Sequence, residues 1–238
     1  DRDGAVGQER AASPAPAGAS ISHGPLLGQV RPDSVGVWLR TSRAADVVVH
    51  WADNVAFASS RSSGIARTAK LSDFTQKVWV HGLMADKFYW YRIELDGVTQ
   101  PGAWKFRTAP ASSAASFTMA VLTDFDAAAA PLLSAVNALK PDLVAFQGDL
   151  DHRNPGERSR GVLLAPDEAL ASMRAMHREL RGAESPFGLD FRALMTVGRG
   201  IQYPFLHVWD DHDYGKNNAD ITFALRPQAM QAFNEYFI

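Results

Sequence analysis

Between Ser20 and Arg107, apolar and polar residues alternate in short runs broken by turn formers. Ser34–Arg40 (SVGVWLR), Asp46–Trp51 (DVVVHW), Gln76–Val80 and Phe88–Leu95 (FYWYRIEL) each read as a strand, and Trp104–Thr108 reads as a last one. Asp96-Gly97 supplies a tight hairpin turn. Strands this short and this regularly spaced predict a small antiparallel β-sandwich of the immunoglobulin or fibronectin kind over residues 20–109, after a flexible segment at 1–19. Its Trp and Tyr residues are expected in the core. Trp79, Trp90 and Trp104 are also the residue type of a sugar-stacking platform.

Ala109–Ser116 (APASSAAS) has linker composition, and beyond it the period changes. Mostly apolar runs at Phe117–Leu122, Leu143–Phe146 and Leu206–Trp209 alternate with helical spacing. Pro131 suits a first helical turn, with Leu132, Leu133, Val136 and Leu139 along one stripe before Lys140-Pro141 stops it. A longer helix opens at Pro166 and carries Leu170, Met173, Met176 and Leu180 on one face. A third starts near Pro227 with Met230, Phe233 and Phe237. The pattern predicts parallel strands buried on both faces and a right-handed crossover between the first two. Three such strands rarely close a two-faced sheet, so residues 116–238 read as the first, incomplete part of an α/β domain.

Each of those three apolar runs ends in carboxylates. The first closes in Asp124-Phe-Asp126, the second in Gly148-Asp149-Leu-Asp151-His152, and the third in Trp209-Asp210-Asp211-His212-Asp213. Ligands of open α/β sheets lie beyond the carboxyl ends of the strands, where all three clusters fall. Two carboxylates about 4 Å apart repel by roughly 4 kcal/mol at an effective dielectric near 20, so such a rim calls for a cation. Oxygen donors suit hard cations, and with imidazole they also suit zinc, manganese and iron. Gly148 lets the backbone turn tightly so that Asp149 can aim across the rim and bridge two metals. His212, flanked by acids expected to orient it, is placed to protonate a leaving group or hold a phosphate oxygen. Asp142, Asp167 and Asp190 read as turn or cap residues, and His207, His23, His50, His81 and His177 as satisfied core histidines.

Composition narrows the chemistry further. The chain carries 24 basic and 26 acidic residues without a long basic stretch, so a nucleic-acid surface has no support. No run of 18 apolar residues spans a membrane. With no cysteine there is no disulfide, no thiolate nucleophile and no Cys-ligated metal. The Ala-, Pro- and Gly-rich start without Met resembles a mature N-terminus left by a removed export signal, which points to a periplasmic, secreted or cell-surface protein.

The residues Gly148-Asp149-Leu-Asp-His152, Trp209-Asp-Asp-His-Asp-Tyr-Gly215 followed by Asn217-Asn218, and the sandwich ending Phe106-Arg-Thr-Ala-Pro110 resemble the metallophosphoesterases, and among them the PhoD-like alkaline phosphatases and phosphodiesterases. The resemblance covers most of the chain from about residue 22. It implies an α/β metallophosphoesterase domain and two metal ions, iron with calcium or else zinc or manganese. It further implies a phosphate monoesterase or diesterase using water as nucleophile. Asp124 then matches the first metal ligand, Asp149 the bridging carboxylate, Asp211 a ligand of the second metal and His212 the catalytic histidine. His152 stands where relatives with an iron site place a Tyr, and Asp126 where the broader superfamily has a His, both keeping a ligand. Arg153, Arg158, Lys216 and Asn217 are the candidates for holding the substrate phosphate. The family uses further histidines downstream. His212 is the last one here, so this chain alone is expected to be inactive.

Two rival readings remain on the sequence. Asp124-Phe-Asp126 also resembles the nucleophilic motif of haloacid-dehalogenase-type phosphatases, in which Asp124 would be phosphorylated with one Mg²⁺, although that scheme has no use for the WDDHD string. A non-enzymatic alternative is a glycan-binding sandwich with a degenerate partner domain.

Overall fold

The computed structural model describes residues 18–112, 116–124, 130–182 and 201–238. Asp126, Asp190 and the N-terminal segment through residue 17 lie outside the described residues. The N-terminal part is a β-sandwich. One of its sheets holds β1 (Ile21–Gly28), β2 (Ser34–Thr41) and β6 (Thr75–His81). The other is built on β3 (Asp46–Ala52) and β7 (Phe88–Leu95), flanked by β4 (Arg61–Ser62), β5 (Ala66–Arg67), β8 (Val98–Thr99) and β9 (Trp104–Arg107). Val35, Val37 and Leu39 of β2 meet Val47, Val49, Tyr91, Ile93 and Phe106 in a closed core. Period-two alternation puts these side chains on one face.

Beyond residue 116 the strands β10 (Met119–Leu122), β11 (Leu143–Phe146) and β14 (Pro204–His207) are parallel and adjacent. Helix α1 (Ala130–Leu139) connects the first two. The third strand is displaced from the expected Leu206–Trp209, leaving Val208 and Trp209 beyond its end. A hairpin of β12 (Glu157–Ser159) and β13 (Val162–Leu163), which the sequence pattern did not announce, precedes α2 (Pro166–Arg181). The chain closes with the short α3 (Asp211–Tyr214) and α4 (Arg226–Tyr236).

The linker separates two stretches of sequence, but one sheet crosses between them, in the order β10-β11-β14-β1-β2-β6. Strand β1 pairs with β14 in parallel, Leu27 opposite Pro204 and Gly28 opposite Phe205. It also pairs with β2 in antiparallel fashion. The alternate face of β2 therefore turns to the helices: Trp38 and Leu26 pack with Tyr236 and Phe237, and the Trp38 indole donates to the Glu235 carbonyl at 2.7 Å. Ile238 sits against Gly28 and Gly36, where a Cβ would lie 2.1 Å and 2.4 Å from its side chain. An ionic knot fastens the helices to the sandwich. Asp73 accepts from Arg40 at 3.1 Å, from Arg178 at 2.6 Å and from the Tyr236 hydroxyl, and Arg174 bonds Glu235.

Burial of the parallel strands on both faces does not hold. Ala120, Leu122, Val144, Phe146 and Phe205 pack under Val136 of α1, Met176 and Leu180 of α2 and Tyr236 of α4. Met119, Val121 and Leu206, on the opposite face, are exposed. The reason is positional: the three helices stack on one side of the sheet. Among the described residues no helix is long and apolar enough to cross a membrane.

Candidate metal centre

The loops that follow β10, β11 and β14 meet at the carboxyl edge of the sheet. Gly148 has φ 91° and Asp149 φ 51°, a left-handed pair that folds the loop sharply back after β11. A side chain at Gly148 is excluded, since its Cβ would lie 2.5 Å from the Asp210 backbone nitrogen. Backbone contact at that point brings the second and third acid clusters together.

Asp213 ties them. Its Oδ2 accepts the N–H of Asp149 at 2.7 Å and of Asp210 at 3.2 Å, and its Oδ1 accepts the N–H of Leu150 at 3.2 Å. The side chain is buried, and burial pushes its carboxyl up to about 6 against these three donors. Asp210 caps the first turn of α3 through the Asp211 N–H at 2.8 Å. Asp151 bonds the Arg153 backbone and guanidinium, at 2.8 and 2.7 Å, so it serves the loop.

Two groups of potential metal donors result. Asp124, Asp149 and His152 form one, and Asp149, Asp211 and His212 the other. Within each group one donor atom per residue lies within 4.8 Å of the others. Asp149 belongs to both. The His152 Nε2 stands 3.2 Å from Asp124 Oδ1 and 3.9 Å from Asp149 Oδ2. The Asp149 carboxyl is raised, chiefly by burial and further by Asp211 and Asp210. It accepts the His212 N–H at 3.2 Å. Bonds from the Thr123 hydroxyl and His152 hold the Asp124 carboxyl low. His212 approaches the Arg153 carbonyl with Nδ1 at 3.3 Å, so the backbone rather than its acidic neighbours orients the ring. Asp211 accepts the N–H of Asn218. Mixed carboxylate and imidazole donors crowded at this spacing fit hard or borderline divalent and trivalent cations.

Of the four substrate candidates, Lys216 and Asn217 line a cavity of about 580 Å³ that opens at His212. Arg153 reaches Glu179, and Arg158 reaches Glu168 at 3.0 Å. Sequence reasoning missed Asn154 and Arg160 of the same cavity, whose signal was the Arg160-Gly161 turn between two short strands. It also assigned no partner to His50, which pairs with Glu94 at 3.1 Å. His207 was expected to be a satisfied core histidine. It is buried, stacked 3.9 Å from the Phe237 ring, but neither ring nitrogen has a hydrogen-bond partner among the described residues.

A family model described as the PhoD-like phosphatase N-terminal domain matches residues 7–110. Among solved structures the chain superimposes on PhoD with a TM-score of 0.66 at 20% identity, over 94% of this chain and 47% of that one. The chain therefore spans about half the length of the PhoD structure. A carbohydrate acetylesterase from Xanthomonas citri matches with a TM-score of 0.32 at 15% identity over 92% of this chain and 49% of its own. A fibronectin type III domain from a human protein matches with a TM-score of 0.30 at 10% identity over 40% of this chain and 77% of its own. No curated protein matches the chain. Residues 7–110 therefore match the PhoD-like phosphatase N-terminal domain, and the chain shares the fold of PhoD along nearly its whole length.

Proposed function

We propose that the protein is an α/β metallophosphoesterase that hydrolyses phosphate monoesters or diesters with water as nucleophile, at a centre holding two metal ions. The observation that carries this reading is Asp149, one carboxylate shared by two donor groups drawn from three strand ends. Asp124 and His152 would complete one cation site and Asp211 the other, with Asp126 as a further candidate for the first. When bound, such cations stabilise the phosphoryl oxygens and lower the proton affinity of the attacking water.

The chain's own groups do the rest. The Asp149 carboxylate, held by the His212 N–H, fixes the spacing of the two sites. As the imidazolium, His212 would donate Nδ1–H to the Arg153 carbonyl and give its Nε2 proton to the departing alkoxide, ending as the neutral Nδ1–H tautomer. Lys216 and Asn217 face the same cavity and are suited to a phosphate oxygen. A phospho-aspartate scheme would employ the first cluster alone, whereas here His152 and Asp149 crowd against Asp124. The match to the PhoD-like N-terminal domain supports export as part of this reading.

The test pairs metal analysis of the full-length protein with its turnover of matched mono- and diesters. Asp149→Asn is expected to lose bound metal and activity together. His212→Ala is expected to retain metal and lose about 10²- to 10⁴-fold in kcat. Wild-type turnover in either variant, or no metal bound by the parent protein, refutes the reading.

A further inference from the structure

Two cationic side chains, Arg160 and Lys216, line the cavity beside His212 together with Glu157. The hairpin of β12 and β13 turns at Arg160-Gly161, with Gly161 at φ 79°. Glu157 accepts the Gly161 N–H at 3.0 Å, which fixes the turn and commits that carboxylate oxygen. Arg160 therefore sits at the hairpin tip and lines the cavity that Lys216 also lines. The Asn217 N–H bonds the Asn154 side-chain oxygen at 3.0 Å and joins the hairpin loop to the loop after α3.

The other basic residues of this loop are spent. Arg153 is held by Asp151 and Glu179, and Arg158 by Glu168. Among the described residues Arg160 and Lys216 form no ion pair with a carboxylate, although Lys216 is near enough to lower the Asp220 carboxyl. Two long cationic side chains share with Glu157 and His212 the lining of a cavity of about 580 Å³, larger than a phosphoryl group alone needs.

We propose that this cavity is a second anion subsite, in which Arg160 and Lys216 bind a negatively charged group carried by the alcohol portion of the substrate. The preferred substrates are then phosphoesters whose leaving alcohol bears its own phosphate or another anion. This rests on the hydrolase reading for the chemistry and on the cavity alone for the recognition.

The experiment compares propane-1,3-diol monophosphate with the same diol phosphorylated at both ends, on the metal-loaded full-length protein. The doubly phosphorylated compound should have a kcat/KM about 10- to 100-fold higher at low salt, the size of one or two charge-assisted contacts, shrinking as salt rises. In Arg160→Ala/Lys216→Ala the ratio should fall to near one. Calorimetric binding of propylphosphonate and propane-1,3-bisphosphonate repeats the comparison without turnover. Equal values in the parent protein, or a ratio unchanged in the double variant, overturn the subsite while leaving the hydrolase reading intact. Bisphosphonate preference without turnover of either ester keeps the subsite and overturns the hydrolase reading.

Discussion

Replacing Asp213 isolates the clamp that joins the two halves of the centre. Asp213→Ala removes the acceptor from three backbone N–H groups, those of Asp149, Leu150 and Asp210. A buried donor left without a partner costs about 1–3 kcal/mol, so the gross loss is on the order of 6 kcal/mol. Part is returned. At pH 7 the native carboxylate is charged, and raising its carboxyl from 3.8 to about 6 means burial already costs on the order of 3 kcal/mol, a cost the alanine lacks. The net loss should be about 3 kcal/mol. Asp213→Asn discriminates further. With its oxygen in the Oδ2 position it keeps the Asp149 and Asp210 bonds, while its amide group meets the Leu150 N–H donor to donor. It should lose less stability than alanine but still misplace the loop after β11. Urea unfolding gives the stability, and calorimetric Mn²⁺ titration gives the affinity, which should weaken about 10- to 100-fold in both variants. If alanine leaves both the unfolding free energy and the Mn²⁺ affinity within error of the parent, Asp213 does not hold the loop and the reasoning fails.

Two further perturbations test the same architecture. Gly148→Ala sets a Cβ 2.5 Å from the Asp210 backbone at a φ of 91°, and should cost on the order of 3 kcal/mol in urea unfolding while abolishing metal binding. His207 is pulled down to about 3 by burial and by the nearby Arg181, from an unfolded value of 6.5, so the native ring stays neutral while the unfolded chain takes a proton. Its contribution is complete above pH 6.5 and is lost as pH falls, by about 2 kcal/mol at pH 5. His207→Phe, filling the stack on Phe237, should flatten the fall in unfolding free energy between pH 7 and pH 5, and an unchanged slope would contradict the assignment.

Much of the fold was legible because the strands alternate cleanly. Phe88–Leu95 was bounded to the residue, and Ser34–Arg40 and Asp46–Trp51 each stopped one residue short of the structural strand. Pro131, Pro166 and Pro227 marked helix starts because proline fits a first turn, where no N–H is needed. The face open to solvent was not legible. An apolar run records that a strand is hydrophobic but not which sides are covered, and Met119 and Val121 carry no sign of their exposure. At the site, Asp124, Asp149, His152, Asp211 and His212 stood out because acids clustered after apolar runs. Asp213 stood in the third cluster, but its hold on backbone N–H groups left no sign there, and Arg160 did not stand out because its hairpin is too short to leave a periodic signature. Arg153 and Arg158 drew attention as cations, but charge alone cannot report that a carboxylate already holds them.

Strand β1 lies hydrogen-bonded to β2 on one side and β14 on the other, so the sequence boundary near residue 110 is no seam in cooperativity. Melting the sandwich strips β14 of a neighbour and removes Trp38 from beneath α4, while losing α4 bares the outer face of β2. Heating should yield a single calorimetric transition. A truncation that ends with the sandwich would leave Trp38 and Leu26 facing water, a sticky surface prone to self-association.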